Sequence, residues 1–256
     1  MSLYVYSGVP GSGKSYHACR DIKYNKAPTI TNMKVRGIEN VAIMDLRDIK
    51  PKMLMAFSNW YFTGHEFKEN SLLLVIDEAQ LLFNSRTWDS EDRFDWLEFL
   101  SQHRHYGYKV VLVAQDISMI DKQFRCLCEY DCRHTAAGSI SIVTRALALF
   151  GIKLTCAKFY FYDTDVLIFR DFYTISKRVY QHYDTRQDLL NNDFSGQGVT
   201  PILDALRECA CEGAAAPRRA PAGVLSRVVG RESGGDSGNE CEVSENGLES
   251  PSMPAA

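Results

Sequence analysis

Apolar and polar positions alternate in blocks along the first 120 residues, and the blocks predict strands separated by helices. Leu3 to Tyr6 is a short apolar strand, and Lys14 to Tyr24 follows as a helix. Pro28–Asn32 and Val41–Met44 are strand-like runs, the first ending in an Asn-containing loop. Pro51 at a helix N1 position opens Lys52–Phe62, where Met53, Ala56, Phe57, Trp60 and Tyr61 recur at helical spacing. Leu72-Leu73-Leu74-Val75-Ile76 is unbroken, as expected for a central parallel strand buried on both faces. Phe94–His105 is a helix, and Val110–Val113 is a second fully apolar strand. From Ile140 to Tyr180 the texture turns to Thr, Tyr, Phe, Val and Ile, with Asp163 and Asp165 punctuating a turn. That pattern predicts a β-hairpin added to the main sheet. The alternation earlier in the chain predicts an α/β fold with a doubly wound, mostly parallel sheet.

After about Cys209 the chain becomes rich in Ala, Pro, Gly, Ser, Arg and Glu, and it contains no aromatic residue. Such a segment buries too little apolar surface to offset its ordering entropy. The expected organisation is therefore a domain over 1–206, with its hairpin-rich portion at about 140–185, and a disordered low-complexity tail over 207–256.

Two segments bring chemistry to this frame. Gly8-Val9-Pro10-Gly11-Ser12-Gly13-Lys14-Ser15 matches G-x-x-x-x-G-K-[ST], between a strand and a helix as the motif requires. Its backbone N–H groups can form an anion nest at a helix N-terminus, which extends to Tyr16. Lys14 is placed for the β- and γ-phosphates of ATP, and the Ser15 hydroxyl for Mg²⁺. The strand Leu72–Ile76 ends in Asp77-Glu78. Asp77 is expected in the metal shell opposite Ser15, with Glu78 orienting and polarising the attacking water. The pair points to hydrolysis rather than binding alone, in a P-loop motor or switch of the AAA+ or RecA-like kind. Gln115 ends the next apolar strand, where a γ-phosphate sensor or a turn residue would stand.

Arginine fingers complete hydrolysis in many such folds, commonly from a neighbouring subunit. Arg86, Arg93, Arg104 and Arg125 are the candidates. Arg104, in His-Arg-His-Tyr-Gly before the Gln115 strand, is favoured for that role, with capping of its helix C-terminus as the alternative. Cys126, Cys128, Cys132 and His134 lack structural zinc spacing and are read as buried thiols before a metal set.

Composition narrows the classes. Eight scattered cysteines form no disulfide framework, and with an ATP site they point to a reducing cytoplasm. The nucleotide loop begins where a signal peptide would lie. No run of 18 apolar residues occurs, and Ala146–Tyr162 is interrupted by Lys153 and Lys158. Residues 1–206 carry as many basic as acidic side chains, and the net charge of −3 falls on the tail. A strongly basic nucleic-acid face is not visible in this balance.

Taken together, GVPGSGKS at the N-terminus, Thr31-Asn32, LLLVIDEAQ, the His-Arg-His-Tyr-Gly segment and the strand closing in Ala114-Gln115-Asp116 resemble the zonular occludens toxin (Zot) family. This family includes the gene I assembly proteins of filamentous phages. The resemblance covers about residues 1–185, and Val179–Thr185 is similar to the Tyr-containing segment that closes the family's cytoplasmic domain. It implies an ATPase of the additional-strand type that powers assembly and extrusion of a single-stranded DNA phage through the host envelope. By the same resemblance Gly8, Gly13, Lys14 and Ser15 bind phosphates and Mg²⁺, while Asp77 and Glu78 serve metal and water. Gln115 becomes a sensor, and Arg104 or a neighbour an inter-subunit contact.

The expected partners are further copies in a ring such as a hexamer, envelope channel proteins and the DNA–coat complex. The expected location is the host cytoplasm at the inner-membrane face. Family members generally carry a transmembrane helix after the ATPase domain, where this chain has its hydrophilic tail, so either a partner is expected to supply the membrane contact or the chain is a divergent or truncated member. The alternatives are a DNA-translocating or packaging ATPase, a nucleotide-dependent switch and, last, a small-molecule kinase.

Overall fold

A computed structural model describes residues 3–84, 90–136, 154–176, 179, 181–182 and 201–211. Its centre is an eight-stranded sheet. The strands are β1 (Leu3–Ser7), β2 (Thr29–Thr31), β3 (Val41–Ile43), β4 (Leu72–Ile76), β5 (Tyr108–Val113), β6 (Tyr130–Ala136), β7 (Leu154–Phe161) and β8 (Leu167–Thr174). They are ordered β3-β2-β4-β5-β1-β6-β7-β8. Neighbours from β3 to β6 are parallel, and β7 and β8 continue the sheet antiparallel. β5 is inserted between β1, which feeds the phosphate loop, and β4, which ends at Asp77. That insertion is the additional-strand arrangement expected from the sequence.

The period-2 geometry of strands explains the unbroken apolar runs. Leu72, Leu74 and Ile76 of β4, with Val110 and Leu112 of β5, belong to a core on one face of the sheet. Leu73, Val75, Val111 and Val113 belong to the core on the other. The second face is covered by α1 (Lys14–Tyr24), through Ala18, Cys19 and Ile22. The first face takes α2 (Pro51–Thr63), α3 (Ser90–Gln102), the short α4 (Lys122–Arg125) and α5 (Pro201–Cys211).

Several boundaries differ from expectation. α3 runs from Ser90 rather than Phe94 and stops at Gln102, because residues 103–107 form a tight turn closed by Gly107 N–H donating to the Arg104 carbonyl at 2.9 Å. α5 extends past the boundary expected at residue 206, and it buries Ile202, Ala205, Leu206 and Cys209 in the core. β6 was hidden in the sequence by its polar residues Asp131, Arg133 and His134. Asp131 is nonetheless buried, because Ser7 Oγ donates to it at 2.9 Å and Arg133 Nε at 2.7 Å. The β7–β8 hairpin turns at Asp163–Asp165, as the aspartates suggested. The expected β-rich residues from 140 to 153 and the tail from residue 212 lie outside the described residues.

Candidate nucleotide site

Ser7 ends β1, and the chain turns through Gly8–Gly13 into α1. Gly8 has φ +142° and Gly13 φ +96°, values an L side chain rarely adopts. Both are also crowded. A Cβ on Gly8 would lie 2.5 Å from the His134 carbonyl oxygen, and one on Gly13 would lie 3.0 Å from Thr155 Cγ2. Gly8 N–H donates to the Gln115 carbonyl at 3.1 Å, tying the loop to the end of β5. Gly13 caps α1 without any side-chain acceptor, and no acidic residue stands in the first turn, so the helix presents N–H groups suited to an anion. Ser12 Oγ is buried in the loop with no hydrogen-bond partner among the described residues. Lys14 Nζ donates to the carbonyls of Gly8 at 2.5 Å and Val9 at 3.2 Å, which curls the ammonium across the loop. Val9, Pro10 and Gly11 are exposed on its outer rim.

The carboxylates approach from β4. Asp77 is buried, and its main chain is clamped by Asn32 at the end of β2. Asn32 Oδ1 accepts from Asp77 N–H at 2.7 Å, and Asn32 Nδ2 donates to the Asp77 carbonyl at 2.9 Å. Burial and the neighbouring Glu78 charge push the Asp77 carboxyl up to about 6, against the pull of the Glu78 N–H bond and Lys14. Burial lowers the Lys14 ammonium, opposed by Glu78 and Asp77, so the base and the two acids share one electrostatic environment. Glu78 adopts a left-handed backbone (φ +52°, ψ +45°), a strained conformation for a non-glycine residue. Its carboxylate accepts from the Gln80 amide. An anion nest, a lysine, a hydroxyl on α1 and two carboxylates supply the donor set that a nucleoside triphosphate with a hard divalent cation requires.

Gln115 stands exposed at the C-terminal end of β5, between the loop and the carboxylates in sheet order. Tyr16 does not face the loop. Its ring stacks on Tyr173 at 5.8 Å, and its hydroxyl donates to the Thr174 carbonyl at 3.3 Å while accepting from Ser176 N–H at 2.9 Å. Only its backbone remains for the nucleotide.

Arg104 lies in the turn before β5, at the opposite end of the parallel sheet from the loop. The six residues of β5 separate it from its own chain's site by roughly 20 Å. Arg93 is held by Asp121 at 3.0 Å and Gln123 at 2.9 Å, Arg125 sits in α4, and Arg86 is outside the described residues. The cysteine set is also dispersed. Cys126 is exposed, and Cys128 belongs to the core on the opposite face of the sheet from Cys132. Cys132 and His134 instead meet His17 of α1.

Sequence reasoning did not assign roles to Asn32, Gln80 and His17. Asn32 and Gln80 were visible as a polar strand end and as the last letter of LLLVIDEAQ. His17 carried no signal outside its fold.

The family model for zonular occludens toxin (Zot) matches residues 2–155. Gene 1 protein of Enterobacteria phage M13 is 27% identical over 230 residues, which is 79% of this chain and 65% of that protein. Gene 1 protein of Salmonella phage IKe is 31% identical over 139 residues, covering 49% of this chain and 37% of that protein. The chain thus spans about 65% of the M13 relative's length. Among solved structures, the N-terminal domain of zonular occludens toxin from Neisseria meningitidis is 16% identical with a TM-score of 0.45, covering 72% of this chain and 100% of that one.

Proposed function

Because this chain belongs to the zonular occludens toxin family, we propose that it is an ATP-hydrolysing motor for the assembly and extrusion of a filamentous, single-stranded DNA phage. The observation that carries this is the inserted strand β5, which sets the phosphate loop and Asp77-Glu78 on either side of Gln115, in a chain similar to phage Gene 1 proteins.

The loop from Gly8 to Gly13 and the first turn of α1 bind the phosphates of ATP. Lys14 gives up its two loop carbonyls for the β- and γ-oxygens. Ser15 and Asp77 would hold Mg²⁺, which when bound neutralises phosphate charge. Glu78, held by Gln80, orients the attacking water and accepts its proton, and Gln115 senses the γ-phosphate. Given its distance along β5, Arg104 serves a neighbouring copy's site, in a ring assembled at the cytoplasmic face of the host inner membrane. Envelope channel proteins and the DNA–coat complex are the remaining partners. No described helix is long and apolar enough to cross a membrane.

The test pairs purified protein with a phage-release assay. The unmodified chain is expected to hydrolyse ATP with Mg²⁺. Lys14→Ala should lose nucleotide binding, and Glu78→Gln should bind ATP but turn over about 100-fold more slowly. Both should abolish particle release, and normal release from either variant would reject the motor. Hydrolysis strongly stimulated by DNA, with steep salt dependence, would favour direct DNA translocation instead.

A further inference from the structure

Directly behind the phosphate loop, His134 Nε2 lies 2.8 Å from His17 Nδ1 and 3.9 Å from Cys132 Sγ, and all three residues are buried. The set could ligate a metal ion or form a hydrogen-bonded chain, and the placement of protons separates the two. His134 Nδ1 faces the carbonyls of Ser7 at 3.2 Å and Cys132 at 3.0 Å. Both are acceptors, so Nδ1 carries the proton and Nε2 carries the lone pair. His17 Nδ1, 2.8 Å from that lone pair, must donate to it. His17 Nε2 is then the acceptor for Arg20 Nη2 at 2.9 Å, and Arg20 Nη2 also donates to Asp171 Oδ2 of β8 at 2.6 Å.

Each imidazole nitrogen thereby has a complementary partner. A metal on His17 Nδ1 would instead place a proton on Nε2, against the Arg20 N–H. Burial first, and the neighbouring Arg20 charge for His17, keep both imidazoles neutral, each lowered to about 3. Burial likewise pushes the Cys132 thiol far above its usual range.

We propose that Arg20, His17 and His134 are positioning residues that set the Ser7–Gly8 peptide at the root of the phosphate loop, and that Asp171 transmits the placement of the β7–β8 hairpin to them. This rests on the reading of the loop as an ATP site. The hairpin holds the loop's other end as well, because Tyr173 Oη donates to the Gly13 carbonyl at 3.3 Å and the Arg20 guanidinium lies 4.5 Å over the Tyr173 ring. Among the described residues β8 is the sheet's last strand, and it is largely exposed. A force on that edge therefore has a polar route to both ends of the loop.

The test uses the full chain, a fluorescent ATP analogue with Mg²⁺, and ¹⁵N NMR of the histidines. Both rings should be neutral Nδ1–H tautomers. Asp171→Asn and His134→Phe should each weaken analogue binding about fivefold. The double variant should bind no worse than about fivefold weaker, because one chain is broken twice. Asp171→Glu should restore affinity to within about twofold, and kcat at saturation should change less than affinity. A purely structural role would lower the melting temperature and leave affinity unmoved. One equivalent of tightly bound zinc, with His17 Nδ1 unprotonated, would overturn the proposal. ATP binding that Lys14→Ala abolishes but Asp171→Asn and His134→Phe leave intact would overturn it alone. No ATP binding by the unmodified chain would overturn the nucleotide reading together with it.

Discussion

Asp77 brings a carboxylate into the buried end of β4, and its environment raises it from 3.8 to about 6. A raised carboxylate costs stability as pH rises, because between those values the native state binds more protons than the unfolded chain. The cost is absent below about pH 4 and complete above about pH 6. Asp77→Asn is therefore expected to raise the melting temperature at pH 7 by roughly 5 °C. The gain should vanish at pH 4, and hydrolysis should be lost, as scanning calorimetry and an ATPase assay would register. In the unmodified protein kcat/KM should fall as pH drops through about 6, since a protonated Asp77 cannot ligate a cation. The identity of Asp77 and Glu78 was legible from their place after an apolar strand. Their support was not. Asn32 reaches Asp77 across 45 residues of sequence, and the left-handed turn at Glu78 leaves no mark in local composition.

Among the elements, the phosphate loop separates two kinds of glycine. Gly11 has φ +77° with nothing within 4 Å of a Cβ, so Gly11→Ala should cost about 1 kcal/mol from backbone strain alone. Gly8 combines φ +142° with the His134 carbonyl 2.5 Å from its Cβ position. That oxygen belongs to a strand backbone and cannot swing aside, so Gly8→Ala should cost about 3 kcal/mol and weaken ATP binding more than tenfold. Chemical denaturation and nucleotide titration of the two variants would check the contrast. β1, β4 and β5 could be read from apolar runs because both their faces are buried. β6 could not, because Asp131 and His134 are satisfied by Ser7 and His17, contacts that exist only after β1 and α1 have packed.

Over the whole molecule, α5 closes the core that α2 and α3 begin. Ile202 and Leu206 are almost fully buried, with Ala205 and Cys209 beside them. A chain ending at residue 200 should lose about 4 kcal/mol relative to one ending at 211, measurable as a shifted urea midpoint. The same scale explains Arg104, whose segment reads as part of an active site although its own chain places it at the far end of β5. Hydrophobic periodicity, the loop motif and the acidic pair by themselves determined the parallel α/β core and the candidate site residues, because each is a local pattern with a local physical cause. Strand order, the clamp on Asp77, the dispersal of the cysteines and the link from β8 through Arg20, His17 and His134 to the loop were decided only by tertiary structure. They are contacts between distant segments, and no property of either segment alone encodes which partner it will meet.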